Sequence, residues 1–566
     1  MSSAQDHNIG NQTSATIEKG AHDEATRITG PRLALVMISL FFSLLLVSLD
    51  QSIVSTALPV IASTFKALDE VEWVGTAYIL PMTSCQLLFG KLASIFGRKV
   101  VLIISIITFL IGSALAGAAQ NFTMLCVTRA IQGIGGAGIA PSVMMAISDL
   151  VTLRERGKYQ SMVALCWATG SMAGPVVGGV LADTNWRWIF FINLPIGTLA
   201  LVLLFVFLRI PNNSIHQGAW WKQLKRIDFV GASTFIASVV CFLLATQWGG
   251  VRYPWSSPIV IALFVVAVVL LMITILVSWK LSSEPMLELD MFYDRARSAL
   301  YIAVVAIASA MFANIFYLPI YFQVANGDSP MIAGAEMLSF LVPVDMVSVI
   351  SGFIVSMTGH YKIMFLLGTA FIAIGGGLQT MLTIDSGRAA QVCYQVVSGA
   401  GVGFCIQNLF VAAQASAPPN RVMSAIALVS FFEYFGFACG IAMGGAIFNN
   451  TLQHYLSNTT TLNASQIKEA QRNPEMLKNI RDPGLQRMVA SAFASALKKT
   501  FLVLVVCGSL AFACSLFLHW KIPPTSNDDD DATQMDMNGD PNNHEKSAGQ
   551  RHPAADDEDQ ERSASD

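Results

Sequence analysis

Apolar residues run through this chain in long blocks separated by polar connections. Fourteen blocks approach or exceed the roughly 20 residues that an α-helix needs to cross a hydrocarbon core. They lie near 33–57, 73–94, 100–120, 123–148, 160–182, 189–208, 229–248, 258–279, 299–323, 334–357, 362–383, 389–412, 423–447 and 499–519. Most connections are short; the exceptions are about 209–228, about 280–298 and the polar segment 448–498. The pattern predicts an all-α membrane protein with fourteen transmembrane helices.

Lys and Arg in the short connections orient the spans, because such residues concentrate on the cytosolic side. With the N-terminus in the cytosol, the inner connections hold Arg98 and Lys99, Arg154, Arg156 and Lys158, Lys280, Arg295 and Arg297, Lys362 and Arg421. The short outer ones hold Lys66, Arg187, Arg252 and Arg388. Both ends therefore face the cytosol. The outer segment 448–498 is basic too, but segments this long are weak orientation signals. Its Asn458 and Asn463 head Asn-x-Ser/Thr triplets, glycosylation candidates on an outer face.

The chain repeats itself at an offset of about 260 residues. Gly90, Ser94 and Gly97 match Gly352, Ser356 and Gly359. Ala57-Leu58-Pro59 matches Tyr317-Leu318-Pro319, and Gly133 and Gly135 match Gly399 and Gly401. Gly170, Gly174, Gly178 and Gly179 match Gly436, Gly440, Gly444 and Gly445. Spans 1, 2, 4 and 5 thus pair with 9, 10, 12 and 13. The expected organisation is a tail at 1–31, a six-helix bundle at 32–210, a linker with two extra spans at 211–298, a second six-helix bundle at 299–520 and an acidic tail at 521–566.

Composition agrees. The chain is 54% hydrophobic and 13% charged, against about 25% charged for soluble proteins. The net charge of −3 hides a split, because Asp528–Asp531 and the run Asp556–Glu561 put the acidity in the C-terminal tail, leaving the rest mildly basic. That tail, almost without aromatics, is expected to be disordered and solvated. The nine cysteines lie in or beside apolar blocks and read as packing residues. No catalytic, metal-ligating, ATP-binding or nucleic-acid-binding motif stands out. The reading is a non-enzyme with no cofactor and no metal, a monomer whose partners are the bilayer, protons and a small molecule.

Ionisable residues inside spans are functional candidates by default, because burying an unpaired charge is expensive. Asp50, Arg129, Asp345 and Glu433 qualify. They are candidates for proton coupling or for a cationic substrate; the plainer alternatives are structural hydrogen bonds for the acids and an Arg129 that snorkels to the outer interface. Asn314, Tyr317, Tyr321, Gln323 and Tyr434 suit a substrate cavity, although aromatic residues also simply pack.

The stretches "LDQSIVSTALP" (49–59), "GKLASIFGRK" (90–99), "RAIQGIGGAG" (129–138), "GSMAGPVVGG" (170–179), "NWRWIFFINLPIG" (185–197) and "YLPIYFQ" (317–323) together resemble the major facilitator superfamily. They are similar to its fourteen-helix drug:proton antiporter branch, and within it to fungal efflux pumps for toxins and other secondary metabolites. The resemblance implies that Gly90, Gly97, Arg98 and Lys99 form a conformational motif. In the family an acidic latch stands at the position of Ser94, so the latch is not carried over. It implies proton coupling for Arg129, membership of the first-span motif for Asp50, and an antiporter signature at Gly170, Gly174, Pro175, Gly178 and Gly179. Of these, Gly174-Pro175 alone separates span 5 from its repeat.

The expectation is a proton-coupled exporter of a hydrophobic or amphipathic small molecule, working by alternating access in the plasma membrane. The rivals are a carrier of a cationic nutrient, such as a basic amino acid, in the plasma or vacuolar membrane, and a non-transporting sensor.

Overall fold

A computed structural model describes residues 30–65, 73–151, 153–208, 227–250, 253–280, 285–325, 327–328, 330–418, 421–459 and 483–519. The N-terminal tail to residue 29, the C-terminal segment from 520 and the second glycosylation candidate, Asn463, lie outside them.

The first half contains α1 (Pro31–Phe65), α2 (Trp73–Phe96), α3 (Arg98–Gly117), α4 (Phe122–Leu150), α5 (Leu153–Asn185) and α6 (Asn193–Phe207). Two further helices follow, α7 (Phe229–Trp248) and α8 (Pro258–Lys280). The second half contains α9 (Arg295–Ala325), α10 (Leu338–Thr358), α11 (Tyr361–Gln379), α12 (Arg388–Ile406, continued by Asn408–Ser416), α13 (Val422–Thr459) and α14 (Leu502–Ser515). Thirteen helical segments among the described residues are long and apolar enough to cross a membrane. The 33-residue α5 completes the expected fourteen.

The repeat is visible in the packing. Gly97 and Gly359 both take positive φ, 91° and 70°, where a side chain would be strained. Both stand at the end of a span, where the chain turns into the next one. Gly170 and Gly174 seat α5 on Ser48 and Ser52 of α1. Gly436 and Gly440 seat α13 on Ala308 and Ser309 of α9. Close approach at small residues is how helices associate where lipid offers no hydrophobic drive. Pro175 lies inside α5 and Gly178 is buried there, while Gly179 follows in the same helix.

Two expectations are corrected. The helices overrun the apolar blocks, and the segment 448–498 is not one long loop. α13 continues to Thr459, and a helix at Pro483–Thr500 leads into α14. Phe448 meets Phe493 at 5.9 Å between ring centroids, and Leu452, Leu456 and Leu497 are fully buried. These turns are amphipathic, so mean hydropathy missed them although protein packing holds them. Asn458 lies in the last turn of α13.

The two extra helices are not equivalent. α8 packs mainly on α7 and presents a long row of apolar side chains outward, as a lipid-facing helix does. α7 instead spans a seam: it touches α2 of the first half and α13 of the second. Its Phe235 and Phe242 each stand 5.1 Å, centroid to centroid, from Phe431 and Phe435. The halves also meet directly along α2–α13 and α5–α10.

Candidate functional site: a buried charged network in the first half

α1 places Asp50 and α4 places Arg129 side by side, both buried. Arg129 Nη1 donates to Asp50 Oδ2 at 2.6 Å and to Gln132 Oε1 at 2.8 Å, while its Nε donates to the Val74 carbonyl at 3.1 Å. Gln132 is one turn along α4 and returns a bond from Nε2 to Asp50 Oδ1 at 2.8 Å. Asn193, at the start of α6, donates to Asp50 Oδ1 at 3.2 Å and to Ser113 Oγ at 2.9 Å. Ser113 on α3 donates in turn to the Phe190 carbonyl at 2.8 Å. The Arg129 guanidinium lies 4.4 Å from the Tyr78 ring centroid.

Two helices, α4 and α6, bond the carboxylate of α1, and α2 and α3 hold the bonding side chains from behind. Both Asp50 oxygens accept, and the guanidinium is held by charge, hydrogen bonds and a π face. Arg129 does not snorkel; it is an internal ion-pair partner.

The repeat sharpens the point. The residue at the Arg129 position of the second half is Gln395. It is also buried, but is bonded by Ser339 at 2.5 Å and donates to the Gln391 carbonyl at 3.0 Å. The position matching Asp50 is Ala310. The charged pair is a property of one half only.

The acids of the second half are placed differently. Asp345 on α10 and Glu433 on α13 are half-buried, and neither carboxyl has an ion-pair or hydrogen-bond partner among the described residues. Tyr434, beside Glu433, is buried. The neighbouring aromatics are packing groups: Phe431 and Phe435 face α7, and Phe432 stacks on Tyr301.

Most of the proposed cavity residues are buried. Tyr317 donates to the Ile441 carbonyl at 3.1 Å and covers Gly444, so it rivets α9 to α13. Tyr321 donates to the Thr383 carbonyl at 2.8 Å. Asn314 is fully buried, with neither amide atom bonded. Only Gln323 is part-exposed. The phenols of Tyr317 and Tyr321 thus bond to backbone carbonyls of neighbouring segments.

The motif at 90–99 is occupied locally. Arg98 pairs with Asp149 at 2.9 Å, and Lys99 donates to the carbonyls of Phe205 and Leu208 at the end of α6. Ser94 turns back to the Lys91 carbonyl at 2.7 Å and latches nothing. Sequence reasoning gave no role to Asn193 and Ser113; a lone Asn in "FFINLPIG" was the available signal.

A polytopic helical protein whose second half repeats the glycine packing of the first, with a buried ion pair, has the architecture of a membrane carrier. The Major Facilitator Superfamily model matches residues 40–441, and the chain belongs to that family. It is 34% identical over 502 residues to the MFS-type efflux pump MFS1 of Trichophyton rubrum, covering 88% of this chain and 94% of that one. It is 31% identical over 511 residues to the efflux pump aflT of Aspergillus parasiticus, covering 88% and 98%. Among solved structures it superposes on the human organic anion transporter MFSD10 with a TM-score of 0.53 at 12% identity, covering 87% of this chain and 100% of that one. The proton:xylose symporter XylE gives 0.53 at 15% identity, covering 85% and 94%. At these identities the structures support the fold alone.

Proposed function

We propose that this protein exports a hydrophobic or amphipathic small molecule, of the secondary-metabolite or toxin kind, in exchange for protons. The two bundles alternate in opening to each side of the membrane. The similar efflux pumps support the direction and the cargo class. The observation that carries proton coupling is the buried Asp50–Arg129 pair. Separating such a pair by removing one charge costs about 3–5 kcal/mol, enough to bias a two-state carrier by orders of magnitude. Proton arrival at Asp50 and cargo binding would then compete for the same conformational equilibrium. The plasma membrane is the proposed location, with the chain acting as a monomer and Asn458 and Asn463 as glycan acceptors.

The test uses purified protein in vesicles with an imposed pH gradient. Asp50→Asn is expected to abolish gradient-driven accumulation while retaining cargo exchange at equal pH. Undiminished uphill transport in that variant overturns the coupling assignment.

A second reading has one observation in its favour. Among the described residues, the carboxyls of Asp345 and Glu433 have no ion-pair or hydrogen-bond partner, and they suit a cationic cargo. A basic amino acid and a lipophilic dye offered to the same vesicles separate the two cargo classes.

A further inference from the structure

Glu288 lies in the connection between α8 and α9, on the side that the Lys and Arg pattern assigns to the cytosol. It is 7% exposed. Its Oε1 accepts from Lys91 Nζ at 2.9 Å, and its Oε2 lies 2.6 Å from Arg421 Nη1. Lys91 belongs to α2, in the first half. Arg421 immediately precedes α13, in the second. One buried carboxylate on the linker thus stands between positive charges from both halves. The helices it joins are in direct contact at the same level: a side chain at Gly90 of α2 would collide with the Ala427 side chain of α13. Arg98 and Lys99, in the same stretch as Lys91, are engaged elsewhere, with Asp149 and with the end of α6, and Arg297 pairs with Asp294. Asp290 also approaches Arg421, but at 3.5 Å and 69% exposed, where water screens the interaction.

We propose that Glu288 is an ionic clasp that holds the cytosolic ends of α2 and α13 together, and that opening toward the cytosol requires both of its ion pairs to part. The clasp comes from the linker and from neither bundle. It therefore ties three parts of the chain into one closure. Replacing Glu288 by Gln leaves Lys91 and Arg421 facing each other with no anion between them, which weakens the closed arrangement specifically. The apolar packing within each bundle is untouched. The inference rests on the alternating-access reading for its functional meaning, but not for its structural test.

That test is hydrogen–deuterium exchange on the full chain in lipid nanodiscs, followed at peptides covering 86–96 and 421–430. E288Q and K91Q are each expected to raise exchange several-fold at both peptides and to leave α3 and α11 unchanged. The double variant should gain less than the sum, because both substitutions break one contact. E288D should restore part of the protection, and D290N should match the native protein. Unchanged exchange in E288Q, a rise spread evenly over the molecule, or additive single effects would each overturn the clasp. A native protein that moves no cargo in vesicles, with E288Q still loosening both peptides, leaves the clasp standing and removes the transport reading instead.

Discussion

At the scale of single residues, Asp50 and Glu288 are both buried carboxylates bound to cations, yet they have different work. Asp50 is enclosed by one bundle, while Glu288 bridges two. Burial alone would raise the Glu288 carboxyl. The charge and hydrogen bond of Lys91, with bonds from Ser424 and Arg421, outweigh burial and hold it below the usual carboxylate range. A depressed folded-state value means that its stabilisation is fully present above the unfolded value, and is lost only as pH falls through the folded one. The clasp therefore stays charged between about pH 5 and pH 7, above the ordinary glutamate value of about 4.3. The pH profile of transport over that window is expected to keep its shape in E288Q while its amplitude changes. A midpoint that moves with the substitution would contradict this. Asp50 and Arg129 were legible from their position inside apolar blocks. Glu288 was not, because an acid in a polar connection looks like any solvated charge until three distant segments meet around it.

At the scale of elements, glycine spacing reported bundle packing correctly. The same spacing occurs in α5 and α13 because both helices press on the first helix of their half. A methyl group at Gly440 would meet the Ser309 backbone, and overpacking of this kind costs about 1–3 kcal/mol. At Gly377, on α11, a Cβ has open space. Gly440→Ala is therefore expected to lower the midpoint of thermal unfolding measurably and Gly377→Ala to leave it level or slightly raised, read in detergent by intrinsic fluorescence. Equal midpoints would show that α13 is not set by that contact. Helix ends were the least legible feature, as α13 and the helix at Pro483–Thr500 show. Their outer turns are held by neighbouring protein, and apolar block length carries no information about that. The contacts of the α9 candidates were no more legible. Which face of a helix meets its neighbour is decided by packing between distant segments.

At the scale of the whole molecule, two halves share backbone geometry and differ in charge. The turn glycines and helix seats recur in both, but Asp50 and Arg129 are answered by Ala310 and Gln395. The repeat itself could be read from glycines. The same offset gives Ala310 and Gln395, but only the packing shows that Asp50 and Arg129 meet. The proton exchange proposed above has a consequence for membrane voltage. An inside-negative potential acts on each net positive charge carried inward by about 2.3 kcal/mol per 100 mV for a full crossing. Export of a neutral molecule against one proton should then run faster as the interior becomes more negative. Export of a singly charged cation against one proton would be indifferent to potential. Vesicles clamped with potassium and valinomycin distinguish these cases, so that a voltmeter can report the charge of the cargo before its structure is known.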